Sequence, residues 1–141
     1  MTLSISVRNR NQILGRWIRH DLVMTVFFLA FGLIYECFSH QVYSGYMLLS
    51  FLFPLLGGLM PDLLLRSRRT RFLPGPWGRG LISSGIFALT MASVLTGVLE
   101  IYGTTNHLMG LLWGLGILFA AAGLVCCLAS LVRAQGQLRQ S

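Results

Sequence analysis

Four apolar runs constrain this chain more than any motif in it. They cover residues 21–39, 43–65, 80–102 and 107–132. About 20 helical residues cross the roughly 30 Å of a bilayer's hydrocarbon core. In lipid a spanning segment must satisfy its own backbone, and an apolar run of this length does so as a helix. Composition agrees: 55% of residues are apolar and 11% charged, against about a quarter charged in soluble domains. The 141 residues suffice for one compact domain. Runs 1–2 and 3–4 are joined by only a few residues, and short connections make antiparallel neighbours. The expected fold is all-α: a four-helix transmembrane bundle of two antiparallel hairpins.

The cations set its orientation. All eleven are Arg. They lie in the N-terminal segment 1–20, the loop 66–79 and the tail 133–141, and neither short turn has one. With four spans those three segments share one side, which the positive-inside rule makes cytoplasmic. Both termini are therefore expected inside, in a multi-pass protein. Arg66, Arg68, Arg69, Arg71 and Arg79 are expected to contact anionic headgroups on that side. A net charge of +7 can signal nucleic acid. Here the Arg residues only flank apolar runs, so no nucleic-acid partner is expected. Arg8, Arg10, Arg16 and Arg19 alternate with Ile13, Leu14, Trp17 and Ile18, which suits a short interfacial helix. The first span ends Tyr-Glu-Cys-Phe-Ser-His, without a small-residue cleavage site, so it reads as uncleaved.

Packing signals follow. Pro54 removes a helical donor and clashes with the preceding turn, which predicts a bend near residues 50–54. Asp62 lies four residues before Arg66, the spacing of a solvated helical ion pair. Ser84, Ala88, Ala92, Thr96 and Glu100 form a ridge of mostly small side chains on span 3. Gly110 and Gly114, then Gly116 and Ala120, repeat the small-xxx-small spacing of close helix packing. That packing can be within the bundle or between protomers, so a homo-oligomer or a larger membrane complex is an expected setting. Cys37, Cys126 and Cys127 form no disulfide framework, since position 37 lies at the opposite membrane face from 126 and 127.

Two stretches at the short turns carry the unusual chemistry. Glu36 and His40 share a helical face with Gly32. Glu100 ends the small-residue ridge and is followed by Tyr102, Thr104, Thr105, Asn106 and His107. The two halves of the chain thus read alike, as in a parallel repeat. Ionisable groups at apolar helix ends are functional-site candidates by default. Glu36, His40, Tyr43, Glu100, Tyr102, Asn106 and His107 are the candidate ligand-binding residues. Glu36, His40, Glu100 and His107 suit a divalent metal. A haem fits poorly, because His40 and His107 sit at helix ends rather than opposed in a core. The set can also be an interhelical hydrogen-bond network. Catalysis is the weakest use, as Glu-x-x-x-His lacks a nucleophile or a metalloenzyme spacing.

The strings Tyr35-Glu-x-Phe-Ser-His40-x-Val-Tyr-Ser44, Phe53-Pro-Leu-x-Gly-Gly58 and Ile101-Tyr-Gly-Thr-Thr-Asn106 resemble those of small four-span proteins from Gram-positive, clostridia-type bacteria. The resemblance covers about residues 20–130. It implies a bacterial plasma membrane and assigns no catalytic or binding roles. The leading functional expectation is a membrane-embedded binding or accessory protein with an outward-facing polar site. The alternative is a small oligomeric transporter for a cation or small polar solute.

Overall fold

The computed structural model describes residues 2–38, 44–67, 75–104 and 106–139. Its elements are α1 (Thr2–Phe38), α2 (Gly45–Leu48), α3 (Leu52–Pro54), a π-helical turn (Leu55–Leu59), α4 (Met60–Ser67), α5 (Pro76–Ile101) and α6 (Leu108–Arg139). Among the described residues, four helical stretches are long and apolar enough to cross a membrane: Asn9–Phe38, Gly45–Ser67, Pro76–Ile101 and Leu108–Ser130. The protein is a multi-pass, all-helical membrane bundle. Gly45–Ser67, here span 2, packs between α1 and α5, and α6 packs along α5.

Three boundaries differ from the sequence expectation; one is the end of α6, which continues past residue 132 to Arg139. Residues 2–20 are not a separate interfacial element: α1 continues through them as one helix of 37 residues, about 55 Å at 1.5 Å per residue. Leu14 on this part is buried. The third span begins earlier than residue 80, at Pro76, with Gly75 as its N-cap. Pro suits the first helical position because its fixed φ is already helical and its missing N–H would be unsatisfied there anyway. Arg79 therefore belongs to the first turn of α5 and not to the loop.

Span 2 is interrupted where Pro54 predicts it. The Ser50 carbonyl would ordinarily accept from residue 54, which has no N–H. It accepts from Phe53 N instead, at 3.4 Å. One turn earlier, Ser50 N turns to the Met47 carbonyl at 3.3 Å, which leaves the Tyr46 carbonyl without its helical donor. Ser93 of α5 supplies one, donating to Tyr46 O at 2.6 Å. Backbone carbonyls inside a bilayer need such partners. After Pro54 the helix widens, with Met60 N bonding back to Leu55 O.

Glycines set the helix separations. Met47 is fully buried between Gly32 of α1 and Gly97 of α5. A Cβ at Gly32 would lie 3.1 Å from Met47 O, and one at Gly97 would lie 2.8 Å from Met47 Cβ. Phe28, Met47 and Val94 form the core there, joining α1, span 2 and α5. The α5–α6 seam uses Gly78, Gly85, Gly116 and Gly123. A Cβ at Gly123 would meet Ile82 N at 2.6 Å, and one at Gly85 would meet Ala120 Cα at 2.8 Å. Gly110 and Gly114, expected to pack, have nothing within 4 Å; the second pair of the repeat, Gly116 and Ala120, does the packing. The ridge expected on α5 is packed only at its centre: Ala92 is fully buried and Ala88 and Thr96 are half-buried, but Ser84 and Glu100 are exposed, while Gly85, Thr90, Ser93 and Gly97 beside it are also buried.

The α5–α6 turn is locally determined. Gly103 adopts φ +67°, a left-handed conformation that suits a residue without Cβ. Gly103 N bonds to Glu100 O at 3.1 Å, and Thr104 N to Leu99 O at 3.0 Å, the Schellman pattern of helix termination.

Candidate functional site

The most deeply buried charges lie at the Arg-rich end, away from both turns. Asp21 of α1, Asp62 of α4 and Arg79 of α5 are 6%, 2% and 8% exposed. Arg79 Nη2 donates to Asp62 Oδ2 at 2.8 Å and also to Asp21 Oδ2. The Trp17 ring lies 5.5 Å from the guanidinium carbon, within range of a cation–π attraction. His20 Nδ1 is 3.1 Å from Asp21 Oδ1.

Each position follows from its local chain. Pro76 starts α5 one turn before Arg79, so the side chain enters the bundle. The widened helix after Pro54 brings in Gly58, whose bare Cα makes room for Asp21. A Cβ there would come within 2.8 Å of Asp21 Cγ. Thr25 donates to the Asp21 carbonyl at 2.7 Å. The cluster thus fastens three spans with two carboxylates and one guanidinium. Buried ions are tolerated when paired and hydrogen-bonded in this way.

Two sequence expectations are corrected here. Asp62 does not pair with Arg66; Asp62 is buried on Arg79, while Arg66 is exposed. Arg79 does not contact lipid headgroups, because two aspartates hold it inside the bundle. Asp21 did not stand out in the sequence, since it opens an apolar run beside Arg19 and His20. The available signal was Pro76, a helix start three residues before Arg79.

The expected site at the turns is only partly assembled. Glu100 is exposed, and its Oε2 accepts from Ser44 Oγ at 2.7 Å. Glu36 is half-buried on α1. The first turn of span 2, with Met47, stands between the Gly32 face carrying Glu36 and the Gly97 face preceding Glu100. Tyr102 and His107 are exposed. Asn106 serves as a helix cap, its Oδ1 accepting from Leu108 N at 3.0 Å. Among the described residues no three His, Cys, Asp or Glu side chains are placed to hold a metal ion. The metal set expected from sequence is therefore not assembled by Glu36, Glu100 and His107. His40, Tyr43, Arg68, Arg69 and Arg71 lie outside the described residues. The three cysteines are free thiols.

Among the described residues, cavities open between span 2 and α6 and between α1 and α5. A groove of about 870 Å³ runs between span 2 and α6 over α5, from Pro61 and Leu124 to Glu100. Leu49, Leu56, Ile86 and Trp113 line it, and Leu49, Leu56 and Leu124 are exposed along it. Trp113 crosses towards α3, edge-on to Phe53 at 5.7 Å, and donates to Thr96 Oγ1 at 3.2 Å. The groove falls within the usual size of small-molecule sites, roughly 300–1,000 Å³. A smaller cleft of about 350 Å³ between α1 and α5 is lined by His20, Asp21, Ser83, Ser84 and Thr90.

The fold and these sites define a four-span helical membrane protein with an internal ion cluster and an apolar groove. No family model, no curated protein and no solved structure matches the chain.

Proposed function

We propose that the protein is a membrane-embedded binding protein whose outward-facing site takes an amphiphile, with an apolar chain in the groove and a cationic headgroup at Glu100. The protein would sit in a plasma membrane with both termini cytoplasmic, consistent with the Arg distribution. One observation carries the reading: a long apolar groove ends at a carboxylate. Glu100 supplies negative charge on a side where neither short turn has an Arg, and Ser44 steadies one of its oxygens. Complementary charge at the open end would select the headgroup, while the groove would accept chains with little discrimination. The site can serve an accessory role, presenting the amphiphile to a partner within the membrane.

The test uses the protein in nanodiscs with a photoactivatable hexadecyltrimethylammonium probe. Cross-links should map to residues 45–61 and, on α6, to Trp113, Ala120 and Leu124, and unlabelled cationic amphiphile should compete while hexadecyl sulfate should not. Glu100→Gln should reduce labelling at least fivefold. Equal labelling by an anionic probe, or labelling spread over the exposed α6 face at Leu118 and Val125, would overturn the reading.

A second reading, transport of a cation or small polar solute, is favoured by one observation: a cleft of mixed polar and apolar lining reaches Asp21 beside the buried ion cluster. Uptake into liposomes that is abolished by Asp21→Asn, but unaffected by Glu100→Gln, would favour it over amphiphile binding.

A further inference from the structure

A third cavity lies outside both sites, at the start of the first span. It has a volume of about 720 Å³ and is lined by Asn9, Gln12, Arg16 and Arg19 of α1 and by Arg66 at the end of α4, with Gly15 in its wall. Asn9, Gln12, Arg16 and Arg19 recur at helical spacing along one exposed face of α1. Arg10 fixes the two walls: its Nη2 donates to the Leu65 carbonyl at 3.0 Å, tying the end of α4 to α1. Three Arg and two side-chain amides thus line one cavity, with Arg19 Nε donating to the Gly15 carbonyl at 3.4 Å, and none of the described residues lining the cavity is acidic. The closest candidates for neutralising them, Asp21 and Asp62, are occupied by Arg79 and His20. Among the described residues Arg16, Arg19 and Arg66 make no ion pair.

We infer that this cavity binds a phosphoryl group, presented by the headgroup of an anionic lipid. Guanidinium forks match phosphate oxygens bidentately, and three of them with amide donors exceed what a diffuse basic surface offers. The position favours a lipid as the source. The cavity occupies the first turns of the candidate span Asn9–Phe38, and Ile13 and Ile18 add apolar lining for a glycerol backbone. The site is independent of the amphiphile groove and asks for the opposite headgroup charge.

The experiment measures retention of phosphatidylglycerol by native mass spectrometry. The full chain is first exchanged into nanodiscs of phosphatidylcholine and then titrated with the anionic lipid. Saturable uptake of one lipid is expected. The combined variant Arg16→Gln, Arg19→Gln, Arg66→Gln should weaken it at least tenfold. Gly15→Leu should do the same without changing charge, because a side chain there enters open cavity space. Arg133→Gln with Arg139→Gln, which removes charge from the tail, should leave uptake within twofold. A parallel titration with glycerol phosphate in lipid-free detergent separates the sources. Saturable binding of that soluble phosphate through the same three Arg, without lipid retention, would overturn the lipid assignment and leave a soluble phosphoryl ligand. Unchanged uptake in the triple variant, or equal loss in the tail variant, would overturn the site altogether. Monodispersity and helical content of each variant exclude misfolding as the cause of a loss.

Discussion

Removing the cation from the buried cluster gives the sharpest test of what holds three spans together. Asp21 and Asp62 both bond the same nitrogen of Arg79, so the two carboxylate oxygens are at most about 6 Å apart, two hydrogen-bond lengths. Arg79→Met leaves them facing each other. At that separation and an effective dielectric constant near 20, two unit charges repel by about 3 kcal/mol. Each carboxylate also keeps its desolvation cost without the cation that offset it. Breaking a buried pair from one side typically costs about 3–5 kcal/mol, and the same range is expected here. Asp62→Asn should behave differently. It leaves Asp21 and Arg79 as a neutral pair, keeps an oxygen for Nη2, and removes the like-charge repulsion. Its effect should stay within about 1 kcal/mol, since a charge-assisted bond is exchanged for a neutral one while the repulsion disappears. The two variants should therefore differ by at least about 2 kcal/mol, roughly thirtyfold in the unfolding constant. Reversible unfolding in mixed micelles of rising dodecyl sulfate content, followed by circular dichroism, measures both. If Arg79→Met lies within about 1 kcal/mol of the parent, or Asp62→Asn is as damaging, the cluster is not the fastening described.

Two further outcomes follow from the packing and from the Arg distribution. Gly85→Ala and Gly123→Ala should each destabilise by about 1–3 kcal/mol through overpacking, while Gly110→Ala and Gly114→Ala should be neutral or stabilising by up to about 1 kcal/mol in the same unfolding assay; equal penalties in both pairs would refute the seam. In a chain whose native Cys are replaced, an impermeant maleimide should label a Cys placed at Gln41 in intact cells and spare one at Ser67, and labelling at position 67 would reverse the proposed orientation.

The division of labour between sequence and tertiary structure follows the range of each interaction. Span number and helical character were set locally: apolar length and backbone self-satisfaction need no distant partner. The turn after α5 was similarly local, because Gly103 alone admits its φ. So was the break in span 2, since Pro54 lacks its N–H wherever it packs. Charge pairing was not local. Arg79 meets Asp62 at a separation of 17 residues and Asp21 at 58, whereas the nearer Arg66 suggested a pair the fold does not make. The early start of α5 at Pro76 turned an apparent loop cation into an interior one. Glycine spacing was equally ambiguous: two successive small-residue pairs exist on α6, and only contact with α5 selects Gly116 with Ala120 over Gly110 with Gly114. The turn residues looked like one site because sequence gives depth but not azimuth. Only the packed bundle placed the Met47 turn between the faces of α1 and α5 and opened the groove that ends at Glu100.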